Sequence, residues 1–261
     1  MGDLFDSLVH PEDRVVAVVG AGGKTSLMFF LAREWRNRGC TVITTTTTRI
    51  RYPSPHQSPE VVLPAGEKGW RAIRQKLGLH GHVTVAEHLP SSGGKLAGPE
   101  PAVLRRLLDR TGVDHLIIEA DGARGLSLKA PGPREPVVPP WTDLFISLAG
   151  LDIIGRPLDG EYVFRPELVA ARTGLVPGAL LTPAAIASLA LHPRGMLKGC
   201  PPGARSCIFL NKTDIPRGVE KALEVRKAAR KSPGNKPDLW VAGSIHHGLL
   251  MVDPDSCPSF P

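Results

Sequence analysis

Apolar positions along this chain fall into short runs, separated by longer segments in which they recur every third or fourth residue. The runs Val15–Val19, Cys40–Thr46, Val61–Leu63, Val83–Glu87, His115–Ile118, Asp143–Leu148, Cys207–Leu210 and Leu239–Ser244 predict strands. The longest of them show no alternation, as expected of strands covered on both faces of a parallel sheet. Leu27, Leu31 and Trp35 recur at i, i+4 and i+8, and predict a helix over Leu27–Arg38 that Gly39 ends. Val103, Leu104, Leu107 and Leu108 share one face of a second helix over Pro101–Arg110. Further helices are predicted around Trp70–Leu77 and over Pro166–Thr173, Pro183–Leu191 and Gly218–Lys231. Thr182 is placed as N-cap with Pro183 at the first helical position. Strand and helix alternate throughout, so the expected fold is α/β, a doubly wound, mostly parallel sheet with helices on both faces.

The chemistry concentrates where these elements meet. The first run breaks on Gly20-Ala21-Gly22-Gly23 and continues as Lys24-Thr25-Ser26 into the helix. A buried strand that turns on glycines into a helix N-terminus is a phosphate site. Its backbone N–H groups and the positive helix end face the anion. Lys24 adds a point charge and Thr25 offers a hydroxyl to Mg²⁺, so Gly20, Ala21, Gly22, Gly23, Lys24, Thr25 and Ser26 are the expected phosphate ligands. The spacing is G-x-x-G-K-T. The longer G-x-x-x-x-G-K-[ST] form needs glycine at position 18, where Val18 stands. With these elements in order, the expected architecture is P-loop NTPase-like.

Later segments supply the remaining parts of such a site. In Thr44–Thr48, alternate hydroxyls at a strand's carboxyl end would face the ligand crevice, and Thr45 and Thr46 are candidate ligand contacts. The run His115–Ile118 ends in Glu119-Ala120-Asp121-Gly122. Two carboxylates one residue apart share a strand face and call for a cation between them. Asp121 is the expected Mg²⁺ ligand with Thr25, and Glu119 or Asp121 the residue that positions water. The basic, proline-stiffened loop that follows carries Arg124, Lys129, Arg134 and Glu135. Arg124 or Lys129 is placed to neutralise charge developing in a transferred phosphoryl group. Asn211-Lys212-Thr213-Asp214 closes another apolar run as N-K-x-D, the pattern that reads guanine, and Gly243 lies in the loop expected to meet the base. Gly93-Gly94-Lys95 resembles a phosphate loop but lacks a strong strand before it. His246 and His247 read as loop residues.

Composition narrows the setting. A chain of 261 residues is expected to form one domain over 1–253, with a peripheral insert at about 53–100 and a loosely held tail over 254–261. A net charge of +7 and a pI near 9.5 favour anionic partners. The basic residues are scattered without interleaved aromatics, so nucleic acid is not an expected partner. The dense group Lys221, Arg226, Lys227, Arg230 and Lys231 reads as a solvated helix face near a helix C-terminus. No apolar run approaches the roughly 20 residues that span a bilayer, and Met1–Asp13 carries acids, so a soluble cytoplasmic protein without membrane contact is expected. Cys40, Cys200, Cys207 and Cys257 form no C-x-x-C pair and read as reduced thiols.

Taken together, Gly20–Ser26, the Thr44–Thr48 run, Ile118–Pro139, Gly150-Leu151-Asp152, Val163–Glu167 and Leu210–Asp214 resemble the YqeC family over about residues 13 to 250. That resemblance implies an accessory or maturation factor for a selenium-dependent molybdenum hydroxylase, with that enzyme or its cofactor as partner. The motif order is also similar to that of SIMIBI-class GTPases, whereas the short glycine loop is similar to that of the ATP-using Mur ligases. The expectation is a Mg²⁺-dependent nucleotide-binding protein and NTP hydrolase, with GTP ahead of ATP. The alternatives are an ATP-dependent kinase or ligase acting on a small acceptor, and a non-hydrolysing scaffold for a nucleotide or pterin cofactor.

Overall fold

The computed structural model describes residues 4–88, 94–247 and 249–252. Cys257, the expected tail over 254–261 and Gly93 of the Gly93-Gly94-Lys95 lookalike lie outside them. In chain order the elements begin with α1 (Leu4–Leu8), β1 (Val15–Gly20), α2 (Lys24–Asn37), β2 (Val42–Thr46) and β3 (Arg49–Arg51). They continue with β4 (Val61–Val62), α3 (Gly66–His80), β5 (His82–Val85), β6 (Lys95–Ala97), α4 (Pro101–Thr111) and β7 (His115–Glu119). The second half contains β8 (Leu128–Lys129), β9 (Leu144–Gly150), β10 (Val163–Phe164), α5 (Pro166–Thr173) and α6 (Pro183–Leu191). It ends with β11 (Arg205–Asn211), α7 (Gly218–Lys231), β12 (Leu239–Ser244) and β13 (Leu249–Val252).

Nine strands form one sheet in the order β13-β12-β11-β9-β1-β7-β2-β5-β4, parallel except for the β12–β13 pair. β1 lies between β7 and β9; the chain runs from β1 to β2 on one side and, after β7, crosses to β9 on the other. Such a switch in strand order opens a crevice at the carboxyl ends of the strands. The register brings the same ends together, with Val18 beside Glu119 and Gly20 beside Leu148.

The uninterrupted apolar character of β1 follows from its two covered faces. Val16 and Val18 pack with α1 and α2, whereas Val15, Ala17 and Val19 pack with residues of α3 and α4. Farther along that second face, Ile208, Leu210 and Trp240 lie under α5, α6 and α7. The expected doubly wound α/β sheet of P-loop NTPase-like type is the fold observed.

Local differences have local causes. β2 begins at Val42 rather than Cys40, because the Asp114 carboxylate accepts from both the amide and the hydroxyl of Thr41 at 2.7 Å. The stretch around 53–100 supplies the edge strand β4 and its neighbour β5, and α3 buries Trp70, Ile73 and Leu77 against the sheet. Its β6 pairs with β3 in a separate antiparallel ribbon. Thr182 caps α6, accepting from the Ala185 amide at 3.2 Å. No helix among the described residues is long and apolar enough to cross a membrane.

Candidate functional site

The glycine turn is pressed against β9, and this decides its sequence. Gly22 has φ +83, and a Cβ there would lie 2.5 Å from the Gly150 nitrogen. At Gly23, with φ +132, a Cβ would meet the Asn211 side chain at the same distance. Only glycine combines these positive φ values with so close an approach. Three amides of the turn are already used. Gly20 donates to Asp121 Oδ2 at 3.0 Å, Ala21 to the Leu148 carbonyl at 2.9 Å, and Gly22 to the Leu126 carbonyl at 3.0 Å. Among the described residues, the amides of Gly23, Lys24, Thr25 and Ser26 have no such partner. They are the four orphan donors of a helix N-terminus.

Lys24 and Lys129 hold the two carboxylates of β7 and its exit. Lys24 Nζ donates to the Gly20 carbonyl at 2.7 Å and lies 3.2 Å from Asp121 Oδ1 and 3.9 Å from Glu119 Oε1. Lys129 Nζ lies 2.9 Å from Asp121 Oδ2 and donates to the Gly122 carbonyl at 2.8 Å. All four side chains are buried. Apart from the ion contact with Lys24, the buried Asp121 Oδ1 has no hydrogen-bond partner among the described residues. Thr25 Oγ1 donates to Glu119 Oε2 at 2.7 Å, so the structure pairs Thr25 with Glu119 rather than with Asp121. Burial pushes the Glu119 carboxyl above its usual range, against the opposing pull of Lys24 and the Thr25 hydrogen bond. Hydroxyl and carboxylate oxygens are the hard donors that suit Mg²⁺, which takes few protein ligands and relies on substrate phosphates for others.

The N-K-x-D segment reaches the same turn from the other side. Asn211 Nδ2 donates to the Gly22 carbonyl at 2.7 Å, and Asn211 Oδ1 accepts from the Ile245 amide at 3.3 Å. Lys212, at φ 75, turns away to Asp152 Oδ2 at 2.6 Å and Ser127 Oγ at 2.8 Å. Asp214 stays at the surface, its carboxyl held below the usual range first by the neighbouring Ser244 side chain. The Gly243 carbonyl accepts from the Thr213 amide at 3.2 Å, tying the base-side loop to this motif.

The threonine run is cross-strand glue. Thr44 bonds His82 and Thr84, Thr45 donates to the Val85 carbonyl, and Thr46 donates to the Glu119 carbonyl at 2.6 Å. The hydroxyl protons of Thr45 and Thr46 are thus spent inside the sheet and are not offered to a ligand. Arg124 stands over the Phe164 ring at 5.1 Å. Reading the sequence for single motifs missed Arg165, whose guanidinium grips Glu135, and Ser127 and Asp152, which anchor Lys212. Arg165 and Asp152 lie in the blocks Val163–Glu167 and Gly150-Leu151-Asp152, and Ser127 lies within Ile118–Pro139.

The fold and this turn define an α/β protein of P-loop NTPase-like architecture. Its family is shown by comparison: the model of the YqeC protein family matches residues 16–167. The YqeC protein of Escherichia coli (strain K12), itself described as uncharacterized, is 34% identical over 209 residues, covering 80% of each chain. The chain belongs to the YqeC family.

Proposed function

We propose that this chain binds a nucleoside triphosphate with Mg²⁺ at the Gly20–Ser26 turn and hydrolyses it slowly. The observation that carries this reading is one continuous assembly. Four unpaired amides, Lys24, the Thr25–Glu119 pair and the Asn211 clasp all meet at a single glycine turn. The amides of Gly23–Ser26 would receive phosphate oxygens. Lys24 would exchange its contact with Asp121 for one with phosphate. Thr25 and Glu119 would hold Mg²⁺, which supplies charge neutralisation to the phosphates when bound. Asp121 keeps Lys24 and Lys129 within reach, Glu119 positions water, and Arg124 meets charge developing on the transferred group.

Asp214 is the residue that would read guanine, with Asn211 holding the base edge and Lys212 beside it, and this puts GTP ahead of ATP. We further propose, from the resemblance to the YqeC family, an accessory role in maturing a selenium-dependent molybdenum hydroxylase in the cytoplasm. Calorimetry with GTP and ATP in Mg²⁺ tests the central reading. Wild type should bind at least one of them, and Lys24→Ala, shown folded by circular dichroism, should bind neither. Unchanged affinity in that variant overturns the reading. If GTP is the ligand, Asp214→Asn should shift preference toward xanthine nucleotides.

A second reading, transfer of the γ-phosphoryl group to a small acceptor, is favoured by the cations of the Arg124–Glu135 loop and Arg165. Phosphate release in the absence of any acceptor favours hydrolysis over transfer.

A further inference from the structure

The short parallel pair β8–β10 sets Leu128 beside Val163 and Lys129 beside Phe164, and so gathers cations from distant parts of the chain. Arg165 donates to both oxygens of Glu135, at 2.5 and 2.9 Å, and Lys129 donates to the same carboxylate at 2.8 Å. Arg124, Lys129 and Arg165 surround the Phe164 ring at 5.1, 5.6 and 4.7 Å from its centroid. Lys198 Nζ is held by the carbonyls of Gly132, Pro133 and Glu135. Arg172 Nη2 donates to the Pro131 carbonyl at 2.7 Å.

Three observations set this cluster apart. Arg172 Nη1 is buried and has no hydrogen-bond partner among the described residues. The cations repel one another: burial first, then Arg194 and Arg165, loosens the proton of Arg172, and burial followed by Arg172 does the same to Lys198. Finally, Arg124 and Arg165 sit at φ 53 and 63, a left-handed backbone that glycine or asparagine would adopt more easily. Strained backbone of this kind gathers at ligand-binding sites.

We propose that Arg124 and Arg165, which stand over Phe164, together with Arg172 and Lys198, which lie against the Pro131–Glu135 loop, bind the phosphate monoester group of a small molecule. Guanidinium forks match phosphate oxygens two at a time, and a dianion offsets the mutual repulsion that a carboxylate would offset less. The site adjoins the glycine turn, because the single ammonium of Lys129 touches both Glu135 and Asp121. The anion site stands on this geometry alone. Its role as the acceptor site rests on the triphosphate reading above.

Titration calorimetry with phenyl phosphate, and with benzoate as the monoanion control, tests it on the full chain. Wild type should prefer phenyl phosphate by about tenfold or more. Arg172→Met should weaken phenyl phosphate by about tenfold while leaving triphosphate affinity within about twofold. Arg172→Lys, which keeps the charge and loses the fork, should fall between and covers the case in which the methionine variant does not fold. Lys24→Ala should lose triphosphate and keep phenyl phosphate. Equal phenyl phosphate affinity in wild type and both Arg172 variants overturns the proposal, as does its loss with Lys24→Ala. Absence of triphosphate binding by wild type would remove the acceptor role and leave the anion site intact.

Discussion

Asn211 donates its side-chain amide to the carbonyl of Gly22, 2.7 Å away and 189 positions earlier in the chain. The same side chain accepts the Ile245 amide, so it joins the end of β11, the glycine turn and the loop after β12. The segment that would read the base thereby also sets the shape of the turn that would hold the phosphates.

Asn211→Ala should therefore act in two ways. It leaves the Gly22 carbonyl and the Ile245 amide without their buried partner, a loss of about 1–3 kcal/mol in unfolding free energy. It should also weaken GTP and ATP alike. Asp214→Ala, at an exposed position, should leave stability within about 0.5 kcal/mol and alter only base preference. Urea unfolding together with calorimetry separates the two. An Asn211→Ala protein with wild-type triphosphate affinity would show that the clasp does not shape the turn.

The ribbon of β3 and β6, whose Ile50 and Leu96 are buried in the core, comes closest to β2 at Gly98. A Cβ on Gly98 would overlap the carbonyl oxygen of Thr46, and backbone cannot yield as a side chain can. Gly98 also donates to the Thr48 carbonyl at 3.3 Å. Gly98→Ala should destabilise the domain by about 3 kcal/mol or more, whereas Gly78→Ala, where a Cβ meets nothing, should be neutral or stabilising by about 0.5–1 kcal/mol. Thermal unfolding of the two variants checks the contrast. Equal midpoints would mean that the ribbon can move away from β2.

The legible part of this molecule is the part written locally. Val15–Gly20 reads as a strand because apolar residues face helices on both sides, and the glycines after it announce the turn. α5 and α6 run over the residues expected, with Thr182 and Pro183 marking the start of α6. The site is less legible where its contacts are made by chain that doubles back. Lys129 lies eight residues after Asp121, yet returns to it through the turn at Gly122–Gly125 and becomes buried. Arg165 reaches Glu135 across 30 positions, a pairing that depends on the β8–β10 register. The threonines misled for a similar reason. Their hydroxyls face neighbouring strands β5 and β7, and only the sheet order reveals that those neighbours hold acceptors.

Glu135 and His82 make stability depend on acid in separable ranges. Burial acts to raise the Glu135 carboxyl, but hydrogen bonds from Arg165 and Lys129 outweigh it and bring its pKa to about 2, from 4.5. A folded-state value below the unfolded one means that the unfolded chain takes up the proton first. The stabilisation is full above about pH 4.5 and is lost as pH falls toward 2, by at most about 3 kcal/mol. Burial, with a smaller push from Arg36, lowers His82 from 6.5 to about 4, and its contribution is lost between those values. Unfolding free energies from pH 7 to 3 should slope downward in both windows. Glu135→Gln should flatten the lower window and leave the upper one, and a slope unchanged below pH 4.5 would detach Glu135 from this role.

Thr25 and Glu119 give the sharpest test of how Mg²⁺ would be held. Thr25 Oγ1 lies 2.7 Å from Glu119 Oε2, and no corresponding bond joins Thr25 to Asp121 among the described residues. Thr25→Ser keeps the hydroxyl, Thr25→Val keeps the shape and removes it. The serine variant should bind triphosphate with the wild-type response to Mg²⁺. The valine variant should retain metal-free binding through the Gly23–Ser26 amides and lose the gain that Mg²⁺ brings, about tenfold or more in affinity. Glu119→Gln should follow the valine variant, because both remove one member of a single oxygen pair. Asp121→Asn should instead weaken binding with and without the metal, since its carboxylate is joined to Lys24, Lys129 and the Gly20 amide. Titrations in Mg²⁺ and in EDTA distinguish these patterns. A Mg²⁺ response lost with Asp121→Asn and kept with Glu119→Gln would move the metal from Glu119 to Asp121.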